Sequence, residues 1–296
     1  MLYDIGLTIA YDYDRPAVAG RHLLRLLPAD IPGAQRRITA LLAIRPEPAE
    51  RRPLVDFFGN SALEVAFRAE HDEILFRVTA RVERLPEAPA LDISPTLAGL
   101  AAEVAGYRGL DPAAPHHFLG PSPRVAPSPE TTAYARDQIP PGATALEAVR
   151  AIGAALHRDM RFDPDATTVD TPPAEAFARR HGVCQDFAQV MVACLRGVGI
   201  PAAYVSGFIR TFPPPGQPRL EGADAMHAWV RAWCGWEAGW IEYDPTNALL
   251  AGVDHILVAR GRDYGDVAPV KGILRIAGDQ TTEHAVDVVP VAESAA

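Results

Sequence analysis

Residues 181–187 read HGVCQDF, a glycine and then a cysteine placed just ahead of an apolar, helix-like run. Phe187, Val190, Met191, Cys194 and Val198 recur at helical spacing, and Gly199 before Ile200-Pro201 closes the pattern, so a helix is expected from about Cys184. Upstream, TPPAEAFARRHG (171–182) reads as a short helix with Thr171 as N-cap, Pro172 in its first turn and Gly182 just past its end. Cys184 then sits in a first helical turn. Unpaired backbone N–H groups and the positive end of the helix dipole favour a thiolate there, and the same groups can support an oxyanion. Position alone decides little, because a single cysteine at the apolar start of a helix is more often packing than catalyst.

The downstream sequence adds what position lacks. AAYVSGFIR (202–210) reads as a strand, and a long proline-rich loop, TFPPPGQPRLEGAD (211–224), follows it. MHAWVRAW (226–233) and GWIEYDPTN (239–247) read as two strands of an antiparallel hairpin turning at CGWEAG. His227, Trp229, Arg231 and Trp233 share one face of the first strand. Counting outward from the turn brings Asp244 within about two residues of the position facing His227, where cross-strand side chains meet. A carboxylate orienting an imidazole that can reach a thiol is a Cys-His-Asp arrangement. The loop at 211–224 leads directly into His227 and is too long for an ordinary strand connection, so it is expected to border the cleft.

Organisation changes near residue 86. Before it, alternating runs such as YDIGLTIAYDY, RRITALLAIRP and EILFRVTARVERL are separated by turn clusters, the pattern of an antiparallel β domain. Residues 87–96 are proline-rich and read as a linker. From residue 97 onward helix signals dominate, so a core domain is expected over 97–296. Its clearest helix starts at Thr144, which forms a capping box with Glu147. The fold class expected is α+β: an N-terminal sandwich-like domain over 1–86, then helices packed on an antiparallel sheet.

Composition bounds the partners. The chain has 296 residues and a formal charge of −9, and Lys271 is its single lysine; nothing points to a polyanion, so nucleic acid is not expected. Three cysteines without C-x-x-C spacing fit a reducing compartment. The N-terminus lacks the pattern of a signal peptide, and no stretch approaches a membrane span. A cytoplasmic protein with no membrane partner is the expectation. The oligomeric state is not read from the sequence.

Five ordered motifs carry a resemblance: GVCQDFA (182–188), GIPAAYVSGF (199–208), DAMHAWVRAW (224–233), GWIEYDPTN (239–247) and ARGRDYGDVAPVKG (259–272). In order and spacing they are similar to the core of bacterial transglutaminase-like proteins of the papain-like fold. HLLRLLP (22–28) and DFFGN (56–60) resemble the β domain that precedes that core. The resemblance implies Cys184 as nucleophile, His227 as base and Asp244 as orienting carboxylate. It implies a peptide or protein substrate, and thiol-dependent amide hydrolysis through a thioester. Acyl transfer to an amine and a non-catalytic binding module are the alternatives. One departure is visible: animal transglutaminases take an oxyanion donor from a tryptophan upstream of the nucleophile, and all four tryptophans here lie downstream. Their calcium sites also lack a counterpart, so no metal or other cofactor is expected.

The remaining candidates have two readings each. Gln185 and Asp186 either contact substrate or favour the helix N-terminus electrostatically. Trp229 either lines an acyl-binding groove or packs in the hairpin. Cys194 falls on the apolar stripe and is expected in the core. Cys234 sits at the hairpin turn, and a four-ligand metal site with Cys184, His227 and Asp244 is disfavoured because structural zinc sites show close ligand pairs.

Overall fold

A computed structural model describes residues 1–86, 91–212, 222, 224–276 and 278–291. Six strands form first: β1 (Leu2–Ala17), β2 (Ala19–Leu24), β3 (Gln35–Arg45), β4 (Glu50–Val55), β5 (Ser61–Phe67) and β6 (His71–Arg84). Period-two alternation drives them: in β1 Tyr3, Ile5, Leu7 and Ile9 are buried while their neighbours are half-exposed. Helices follow, with α1 at Leu97–Gly106, α2 at Pro129–Gln138 and α3 at Ala145–Asp159. Short strands β7 (Arg161–Phe162) and β8 (His181–Gly182) pair in parallel around α4 (Pro173–Arg179). Then come α5 (Cys184–Gly197), β9 (Ala202–Ile209), β10 (Ala225–Trp233), β11 (Trp240–Asp244), β12 (Leu249–Leu250) and β13 (His255–Gly261). The chain ends with α6 (Tyr264–Val267), β14 (Val270–Arg275) and β15 (Gln280–Pro290).

These strands make two four-stranded sheets, ordered β15-β1-β6-β3 and β14-β2-β5-β4, and a five-stranded sheet ordered β12-β11-β10-β9-β13. The architecture is α+β, with antiparallel sheets and a papain-like core in which α5 packs on β9 and β10. The expected extent of the core needs correcting at its C-terminal end. Leu7 faces Val78 on one side and Val286 on the other, and Leu24 faces Val270, so β14 and β15 belong to the sandwich sheets. The core is thus inserted between β6 and β14. Local sequence could not show this, because β14 and β15 alternate like any strand and their partners lie more than two hundred residues away.

The expected linker over 87–96 makes contacts with the core where it is described. Asp92 accepts a hydrogen bond from the Thr144 hydroxyl at 2.5 Å, and Ser94 Oγ accepts one from Leu146 N–H at 3.0 Å, so this segment docks on the start of α3. Residues 87–90 lie outside the described residues. The capping box is present as expected: Thr144 N–H donates to Glu147 Oε2 at 2.9 Å, and Glu147 N–H donates to Thr144 Oγ1 at 3.2 Å.

β13 is an edge strand of the core sheet, and its open backbone is covered by side chains of the sandwich. Gln35 bonds Leu257, Asn60 bonds Arg260 through both N–H and C=O, and Arg84 Nε donates to His255 O at 3.0 Å. An exposed strand edge is thereby closed. None of the helices is long and apolar enough to cross a membrane, among the described residues.

Candidate active site

The backbone places Cys184 at the first residue of α5, and the residues around it explain why the helix begins there. Asp186 folds back so that its Oδ2 accepts the Val183 N–H at 2.8 Å and the Thr167 hydroxyl at 2.6 Å. Gly182 makes room: a Cβ there would lie 2.5 Å from that same oxygen. Asp186 is therefore a buried helix cap; burial pushes its carboxyl up, against the pull of those donors. Gln185 is also buried, with Nε2 3.4 Å from Val169 O. The left-handed residue that ends the preceding helix is Arg180 (φ 58°), ahead of the expected Gly182, while Pro172 takes the N-cap place expected for Thr171. At the other end of α5, Gly199 has the left-handed φ of 84° that its position requires.

The hairpin has the register expected. Val230 faces Tyr243 and Arg231 faces Glu242, which places Asp244 across from the neighbourhood of His227. His227 Nε2 lies 2.7 Å from Asp244 Oδ2, and the Cys184 thiol also acts electrostatically on the imidazole. One ring thus couples the carboxylate to the thiol. Burial works against its charged form, but the interactions with Asp244 and Cys184 outweigh burial and raise the His227 pKa to about 10.

Asp244 is fully buried and accepts five hydrogen bonds. Oδ2 receives His227, the Asn247 side chain at 2.7 Å and His255 Nε2 at 3.1 Å. Oδ1 receives the backbone N–H groups of Thr246 at 2.9 Å and Asn247 at 3.2 Å. Burial raises its pKa, but these donors and the nearby imidazole reverse that and hold the carboxyl far below the usual carboxylate range.

His255 was not singled out by sequence. Its signal is weak, one histidine opening a strand in DHILVARG, and only the fold carries it back to Asp244. His227, Asp244 and His255 form the described cluster with the donor types of a metal site, their atoms all within 4.8 Å. The Gly252 N–H donates to His255 Nδ1 at 3.2 Å, which leaves the ring proton on Nε2 facing the carboxylate. The set is arranged as hydrogen bonds, with His255 presenting a proton where a metal would need a lone pair.

Trp229 does not line a groove. It is fully buried, its ring 6.1 Å from that of His227 and 5.2 Å from that of His255, and its Nε1–H donates to Glu242 Oε2 at 2.7 Å. Gly207 on β9 admits it, since a Cβ there would lie 2.6 Å from the indole. The sequence placed Trp229 on the His227 face correctly but could not show that it packs in a cluster with Val205, Ala251 and Leu257, against Ala29 and Ile31. Cys194 and Cys234 are buried, and burial pushes both thiols up to about 12. Cys234 is outside the His227 cluster, and its Sγ is directed at Ala232 O at 3.8 Å.

Beside His227 opens a cleft of about 910 Å³ whose lining includes Phe162, Arg210, Phe212, Leu249 and Leu250. Thr211 and Phe212, which start the long proline-rich loop, belong to this lining; residues 213–221 and 223 lie outside the described residues.

An α+β core of this order, with a cysteine opening the central helix and a histidine and aspartate on the adjacent sheet, defines the papain-like class. Residues 132–245 match the transglutaminase-like superfamily, and residues 3–83 match the bacterial transglutaminase-like N-terminal region. An uncharacterized protein of Mycobacterium tuberculosis is 36% identical over 97% of this chain and 90% of its own length. Another from Mycobacterium leprae is 30% identical over 95% and 96%. The chain belongs to the bacterial transglutaminase-like family. A protein-glutamine gamma-glutamyltransferase of Pseudomonas aeruginosa is 35% identical over 33% of this chain, which is 16% of that protein. The solved structure of a candidate cysteine protease from Cytophaga hutchinsonii shares the fold, with a TM-score of 0.75 at 20% identity over 99% of this chain and 92% of that one.

Proposed function

We propose that the protein is a thiol-dependent amide-bond hydrolase that works through Cys184, His227 and Asp244 on a peptide or protein substrate. The observation that carries this reading is the imidazole of His227, hydrogen-bonded to a buried carboxylate and electrostatically linked to a thiol at a helix N-terminus. His227 holds the Cys184 proton as imidazolium, and Sγ attacks the carboxamide carbon. The carbonyl π pair moves to oxygen, where backbone N–H groups of the first helical turn can stabilise it. As the tetrahedral intermediate collapses, the C–N bond breaks and His227 gives its proton to the leaving nitrogen. A thioester on Cys184 remains; water, deprotonated by His227, adds to its carbonyl carbon, the C–S bond breaks, and the acid leaves with Sγ again a thiolate beside the protonated His227.

Acyl transfer to an amine is the second reading, favoured by the partial likeness to the Pseudomonas glutamyltransferase. Both share the thioester. A protein that had kept the fold as a mere binding module would have no reason to retain all three groups in this geometry. Three unpaired cysteines support a reducing, cytoplasmic setting.

The test is to incubate the protein with a peptide library, quench in acid and search by mass spectrometry for an acyl group on Cys184. Repeating it with a primary amine separates the readings: a free acid as the only product means hydrolysis, an amine adduct means transfer. No adduct on Cys184 under any condition would end both.

A further inference from the structure

The catalytic reading uses three side chains, but a fourth is built into the same cluster. His255 is buried at the first residue of β13, and its two ring nitrogens have fixed roles: Nδ1 accepts from Gly252 N–H, and Nε2 donates to Asp244 Oδ2. It therefore donates to the very oxygen that receives His227. Trp229 packs against its ring at a steep angle, with centroids 5.2 Å apart. The sandwich fixes where it stands, since Arg84 Nε donates to the His255 carbonyl at 3.0 Å and the Tyr3 hydroxyl donates to the neighbouring Asp254 at 2.7 Å. Arg210 also approaches Asp254, at 3.5 Å.

We propose that His255 is a positioning residue that keeps Asp244 ionised and aimed at His227, and that the sandwich domain bears on the chemistry by setting the place of His255 through Arg84. This rests on the catalytic reading above. Its logic is electrostatic: a fully buried carboxylate stays charged only while its donors remain, and each one removed favours the neutral acid. A weakened Asp244 supports the His227 imidazolium less, and the imidazolium in turn supports the Cys184 thiolate less. The charged and titratable groups around His255 are His227, Asp244, Asp254, Arg84, Arg210 and Tyr3.

The experiment measures the rate of iodoacetamide alkylation at Cys184 against pH by peptide mass spectrometry, which needs no substrate. In His255→Leu the low-pH limb should move up by about one pH unit, because the thiolate then persists less far into acid. His255→Gln places an amide N–H near the Nε2 position and should hold the limb near that of the wild type. Arg84→Gln should move it in the Leu direction by less. Coincidence of the His255→Leu and wild-type profiles would overturn the inference, as would a folded His255→Gln shifted as far as Leu; an unmoved Arg84→Gln would remove the sandwich from it. Should His255→Leu not fold, the Gln and Arg84 variants carry the test. An ordinary thiol profile in the wild type would instead sink the catalytic reading itself.

Discussion

The side-chain amide of Gln35 meets both backbone groups of Leu257: its Nε2 donates to the carbonyl at 2.8 Å, and its Oε1 accepts the N–H at 2.9 Å. A glutamine from the sandwich thus acts as one rung of a missing strand beside β13. Nε2 also donates to Ala29 O, so the amide is fully used in a buried place. Gln35→Ala should leave buried backbone groups unpaired and lower stability by about 2–4 kcal/mol. Urea unfolding followed by circular dichroism measures this, and a loss below about 0.5 kcal/mol would mean that water replaces the amide without penalty.

Cys184→Ala should abolish acyl-enzyme formation and leave the melting temperature nearly unchanged, since this side chain is only partly buried. Cys194→Ser should do the opposite. It puts a hydroxyl into a fully buried apolar site and should cost about 1–3 kcal/mol while sparing reactivity at Cys184. Activity retained in Cys184→Ala, with the fold intact, would refute the nucleophile assignment.

Asp244→Asn keeps the shape and removes the charge. Its amide would also turn a donor toward groups that are themselves donors, Asn247, His255 and two backbone N–H groups among them. Turnover should fall by about a thousandfold or more with little change in KM, a loss confined to the transition state. The low-pH limb of Cys184 alkylation should move up without vanishing, because the helix N-terminus still favours the thiolate. A single-turnover assay beside the alkylation profile tests both, and two unchanged curves would reduce Asp244 to a structural role.

Stability should also depend on pH through the same pair. The His227 pKa is raised in the folded protein to about 10 from an ordinary 6.5, so its contribution is complete below about pH 6.5 and disappears as the pH climbs through 10. Asp244 is shifted the other way, so its contribution is present above about pH 4 and fades only on acidification. The stability gap between wild type and His227→Gln should therefore be widest between about pH 4 and 6.5 and close toward pH 10. Denaturation midpoints at half-unit pH steps would show it, and a gap that widens with rising pH would reverse the assigned direction.

What the sequence showed well was local or paired by a short turn. The Thr144 capping box, the helix starting at Cys184 and the β10–β11 register all follow from contacts within a few residues or across one hairpin. Asp244 could be found by counting for that reason. His255 could not, because it reaches Asp244 through a loop and a strand on the far side of the sheet. Asp186 and Trp229 show a different limit. Their types and faces were right, yet substrate contact or burial depended on Thr167 and Gly207, which no periodicity points to. The C-terminal strands were hidden by sheer separation along the chain.

That separation has a consequence for how the molecule is made. Neither sandwich sheet is complete without β14 and β15, and Tyr3 already pairs with Pro290 at one end of its strand. As the chain leaves the ribosome, β1 and β2 each have one flank waiting for strands more than two hundred residues further along. The sandwich sheets therefore close only after the intervening core has been translated, and that core can take shape while the partner strands are still being synthesised.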